Sequence, residues 1–150
     1  MISEIDIVAR LLAAAILGMI IGYEREISEK PAGIRTFAIV AIGACLFTII
    51  GILIAETSNG IGIDNTRIAA GIITGIGFLG AGALFHGENK VLGLTTAAGV
   101  WTMGAVGLAV GLGYIWPALL ATALMYVVLF SGRFYGKQSK VQAQKKEKTG

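Results

Sequence analysis

The chain has 150 residues, of which 55% are hydrophobic and 14% charged, and its mean hydropathy is +0.79. A soluble domain carries roughly 25% charged residues, so this composition cannot build a water-facing surface, and it argues for membrane helices over a soluble enzyme. The net charge of +3 comes from the end of the chain, where Arg133, Lys137, Lys140, Lys145, Lys146 and Lys148 are opposed only by Glu147.

The first apolar segment spans residues 7–23. Glu4 and Asp6 precede it where a secretory signal needs positive charge, so it is read as a retained span. Arg10 falls inside this span, four residues after Asp6, a favourable order for a helical ion pair. Two roles are open to Arg10: snorkelling to the outer interface, or lining an external vestibule. The second and third segments, residues 36–55 and 68–85, contain no Asp, Glu, Lys, Arg or His. Each is close to the ~20 residues that cross ~30 Å of hydrocarbon. Cys45 is the only cysteine, which rules out an intrachain disulfide; a buried, inert thiol is expected.

Residues 91–131 also lack all five of those ionisable types, and these 41 residues are twice what one crossing needs. The run must fold back on itself. Gly111 and Gly113 end one helix, Pro117 opens the next, and Tyr114 and Trp116 suit the interfacial belt between them. The fourth and fifth helices are therefore placed at residues 95–112 and 117–130.

Of the 12 Lys and Arg residues, only Arg10 and Arg67 fall on the side of the N-terminus. Arg25, Lys30, Arg35, Lys90 and the six residues of the tail fall on the other side, which is cytoplasmic by the positive-inside rule. The expected fold is an all-α membrane protein with five transmembrane helices, the N-terminus outside and the C-terminus cytoplasmic. Residues 1–133 form the membrane domain, and residues 134–150 a basic, disordered tail lying against anionic lipid. No aromatic residue follows Tyr135 to stack on bases, so nucleic acid is not an expected partner. At an offset of 60 residues, Lys30 to Ala38 and Lys90 to Ala98 share the pattern K-x-x-G-[IL]-x-T-x-A. Either a parallel repeat or the chance of a low-complexity composition accounts for it.

Gly75-Ile76-Gly77-Phe78-Leu79-Gly80 matches G-x-G-x-x-G but lacks the strand before it and the acid after it that a dinucleotide site requires. Two other readings stand. Gly71, Gly75, Gly77, Gly80 and Gly82 form a small-residue ridge for helix packing or dimerisation, or a broken helix whose carbonyls line a cavity. The densest polar stretch is the first connection. There Glu24, Arg25 and Glu26 end helix one, and Arg35 and Thr36 open helix two. With Thr95 and Thr96 at the start of helix four, they form a polar cluster at the cytoplasmic mouth. It is a solvated turn capped by Thr36, or a site in which Glu24 pairs with Arg35 or receives a cation such as Mg²⁺. Arg10, Asp64 and Arg67 are the extracytoplasmic polar residues, with Asp64 or Thr66 placed to cap helix three and Thr95-Thr96 placed to cap helix four. His86, Glu88 and Lys90 make a short turn with too few ligand types for a metal site. No Ser-His-Asp, Cys-His or paired-carboxylate arrangement points to an enzyme.

Three stretches together resemble the MgtC/SapB membrane-protein family: Gly22-Tyr23-Glu24-Arg25-Glu26 through Lys30-Pro31-Ala32-Gly33-Ile34-Arg35-Thr36; Arg67-Ile68-Ala69-Ala70 through Gly80-Ala81-Gly82; and Gly93-Leu94-Thr95-Thr96-Ala97-Ala98 with Trp101. The resemblance implies a multi-pass protein of a prokaryotic inner membrane linked to growth at low Mg²⁺, in a short form without the soluble C-terminal domain of many members. It also implies regulatory contact with another membrane protein or, alternatively, transport of Mg²⁺ or another divalent cation. The expected partners are the lipid bilayer, a second copy and another membrane protein. No cofactor is expected, Mg²⁺ being a candidate ligand or substrate whose ligands the sequence does not identify.

Overall fold

A computed structural model describes residues 2–57, 65–87 and 90–147. They form five helices: α1 (Glu4–Ile27), α2 (Ile34–Thr57), α3 (Asn65–Gly82), α4 (Leu94–Gly111) and α5 (Ile115–Glu147). Between α3 and α4 the chain makes a small hairpin of β1 (Phe85–Gly87) and β2 (Lys90–Leu92), which pairs Phe85 with Leu92 and His86 with Val91. Only a turn is expected there from sequence. The pairing fits the aromatic and β-branched residues Phe85 and Val91.

The helix ends explain themselves in local chemistry. Ser3 caps α1 through a reciprocal box: Asp6 N–H donates to Ser3 Oγ at 3.2 Å, and Ser3 N–H donates to Asp6 Oδ2 at 3.3 Å. Asp6, expected to pair with Arg10, is thus engaged by the cap. α1 closes with Lys30 N–H donating to Arg25 O and Glu29 N–H to Glu26 O, the paired bonds of a left-handed C-terminal stop. Glu29 takes the left-handed position, at φ 53°. α4 ends on the same pattern, Tyr114 N–H to Ala109 O and Gly113 N–H to Val110 O, with Gly113 at φ 86°. There the expected glycine stop is present, and Pro117 lies in the first turn of α5 as expected.

α1, α2, α4 and the Ile115–Gly132 part of α5 are long and apolar enough to cross a membrane. The apolar stretch of α3, Thr66–Gly82, is shorter. Four of the five expected spans therefore have crossing length. α5 runs on to Glu147, through the basic segment expected from sequence to be a separate tail from residue 134. Residues 137–147 are mostly Lys, Gln, Ala and Glu, which favour helix.

Packing is set by glycines. A Cβ on Gly18 would stand 2.6 Å from the Phe37 carbonyl oxygen, and one on Gly22 would collide with the Ile34 backbone, so α1 and α2 lie backbone against backbone. α4 meets α2 in the same way: Gly107 faces the Ala41 carbonyl, and Gly111 would place a Cβ 2.8 Å from Cys45 O. Ile21, Phe37, Cys45, Ile49, Met103, Val106 and Val110 are fully buried among these three helices. α5 adds Met125, which with Phe37 closes over Gly99. α3 leans on α4 through Gly80 near Ala97 O and Ile76 against Gly104, and on α2 through Ile68 against Gly51. The outer face carries exposed Ile39, Phe78, Val127 and Val128, a surface that lipid solvates better than water.

The 60-residue offset reappears in the architecture. α2 and α4 open at Ile34 and Leu94, and each takes its first helical bond on the preceding glycine, Phe37 N–H to Gly33 O at 3.1 Å and Ala97 N–H to Gly93 O at 2.8 Å. The packing is not repeated. Gly22 presses on α2, whereas its counterpart Gly82 has nothing within 4 Å of a Cβ.

A non-glycine residue in the left-handed region costs roughly 1 kcal/mol or more. Glu29→Gly is therefore expected to stabilise the protein by about 1 kcal/mol in detergent denaturation; unchanged or lower stability would show that the Glu29 side chain earns its place through contacts.

Candidate functional site: a buried ion pair at one end of the bundle

α1 ends, and α2 and α4 begin, at the same end of the bundle, because α1 and α2 form an antiparallel hairpin and α4 runs parallel to α2. The last turns of α1 put Glu24 and Arg25 inside it, at 1% and 4% exposure. Sequence singles out these two residues but gives no sign that both charges are enclosed. Ser28, which was not singled out from sequence, donates its hydroxyl to Glu24 Oε1 at 2.8 Å. Arg25 Nη1 reaches Glu24 Oε2 at 3.4 Å, and Arg25 Nε is buried with no hydrogen-bond partner.

This geometry is poor for stability. Desolvating two ions costs several kcal/mol each, repaid only by close, fully hydrogen-bonded pairing. A contact of 3.4 Å with an orphaned N–H falls short of that. Neighbours in a helix point about 100° apart, so Glu24 and Arg25 cannot meet head-on. A charge pair kept in an apolar bundle at such cost marks a functional site more readily than a structural one.

Glu26 has a separate task. Its Oε2 accepts the Ile34 N–H at 3.1 Å, so a carboxylate from the end of α1 caps the N-terminus of α2, where the helix dipole favours negative charge. Thr36 does not cap that helix as expected, since α2 starts at Ile34 and Thr36 lies inside it, exposed beside exposed Arg35. The same correction holds at α4. Its cap is Gly93, with φ 93° and no side-chain bond, so Thr95 and Thr96 fall within the first turn, Thr95 exposed and Thr96 buried. At α3 the helix begins at Asn65, so Thr66 is also internal, and Asp64 lies outside the described residues.

At the opposite end Arg10 is half-buried and tied to α4. Its Nη1 donates to Gly111 O at 2.7 Å, pinning α1 to the carbonyl end of α4, where a cation is favoured. The partner lies 101 residues away, beyond any local pattern. Arg67 is exposed in the first turn of α3. Of the α3 glycines, Gly80 packs on α4, while Gly71, Gly75, Gly77 and Gly82 have nothing within 4 Å of a Cβ. Among the described residues, no group of three or more His, Cys, Asp or Glu stands together to hold a metal.

The MgtC family's sequence pattern matches residues 11–137. The chain belongs to the MgtC family. It is 42% identical over 120 residues to MgtC of Brucella abortus, covering 80% of this chain and 48% of that protein. It is 38% identical over 128 residues to SapB of Bacillus subtilis, covering 83% and 54%. With YhiD of Escherichia coli the identity is 35% over 127 residues, covering 83% and 59%. The chain spans about half the length of these curated relatives. No solved structure matches it. As an MgtC-family chain with four helices of crossing length, it is a multi-pass membrane protein.

Removing one member of the ion pair strands the other. Arg25→Ala is expected to destabilise this MgtC-family chain by about 3–5 kcal/mol, whereas Glu24→Leu with Arg25→Leu leaves stability unchanged or raised. Thermal unfolding in micelles reads both. A double variant as unstable as the single one would make the pair structural.

Proposed function

We propose that the chain is a regulatory protein of a prokaryotic inner membrane, acting in Mg²⁺-related physiology by associating with itself or another membrane protein and catalysing no reaction. α3 crosses as a fifth span, its shortness met by local thinning or snorkelling. That places the N-terminus outside and the Glu24–Arg25 end at the cytoplasmic mouth, in keeping with the positive-inside rule.

The observation that carries association is the unused glycine face of α3. Elsewhere in the bundle, Gly18, Gly22, Gly107 and Gly111 each admit a neighbouring helix. On α3, Gly71, Gly75 and Gly82 flank exposed Phe78 on one face and admit nothing among the described residues. Glycine inside a helix costs about 0.5–1 kcal/mol relative to alanine. A lipid-facing helix gains nothing in return, but a helix docking on that face would.

A second reading, a Mg²⁺ transporter, is favoured by one relative: the name of YhiD proposes it as a magnesium transporter. In that case Glu24 and Arg35 at the cytoplasmic mouth are the first candidates to meet the ion.

A photo-crosslinker at Phe78, activated in bacterial membranes, separates the two. Association gives one discrete adduct that Gly75→Leu abolishes, with no Mg²⁺ flux from liposomes holding the purified chain. Selective Mg²⁺ flux that Glu24→Ala or Arg35→Ala abolishes, with no adduct, would replace regulation by transport.

A further inference from the structure

We draw no further inference here: the strongest candidate, the partly open apolar groove of about 190 Å³ between α2, α3 and α4, carries nothing, because nothing in the structure shows what fills it.

Discussion

The structure depends on helix backbones coming within van der Waals contact of one another. In a bilayer no hydrophobic force drives helices together, because lipid chains are as apolar as leucine; close packing and hydrogen bonds must do it instead. Gly18 and Gly22 bring α1 onto the first turns of α2, and Gly107 and Gly111 bring α4 onto α2 further along. That makes α2 the centre of the bundle, with Phe37, Cys45 and Ile49 fully enclosed along its length. α3 and α5 are laid against this three-helix unit.

The ion pair follows from that packing. Gly22 lies one turn before the end of α1 and lets it run alongside the start of α2, so the next residues inward, Glu24 and Arg25, lose their water. Glu26, on the opposite side of the turn, then falls within reach of the exposed first N–H of α2. The two ends of the bundle are each tied by one charged side chain on a backbone group, Glu26 on Ile34 N–H and Arg10 on Gly111 O. The Glu24–Arg25 pair is buried at the first of these ends, with Ser28 donating to Glu24. α3 has one face against α4 and, among the described residues, its Gly71, Gly75 and Gly82 face uncovered.

Much of this was legible in the sequence. Apolar runs separated by charge locate the five helices to within a few residues over their spans, and the hinge at Gly113 and Pro117 splits the long run correctly, because those signals are local. The polar cluster at the end of α1 is also visible as residue types. What sequence could not separate were glycines in the same kind of spacing: Gly18 and Gly22 are pressed against a backbone, while Gly71 and Gly75 face open space. The difference lies in which way each helix is turned, and a hydrophobic pattern with no polar face does not encode rotation. The bond from Arg10 to Gly111 O lies beyond any local pattern, because its acceptor is 101 residues distant. Thr36, Thr95 and Thr96 look like caps but lie within their helices, since each helix starts on a residue just after a glycine.

The most direct measurement compares one methyl group at two glycines by reversible unfolding in micelles. Gly107→Ala places a Cβ against the Ala41 carbonyl, which cannot move aside, and should lower stability by about 1–3 kcal/mol. Gly71→Ala places the same methyl where nothing lies within 4 Å and should raise stability by up to about 1 kcal/mol through helix propensity alone. Opposite signs are what a bundle held by backbone contact at α2 and α4 requires. Two variants shifted alike, or Gly107→Ala the more stable, would contradict it.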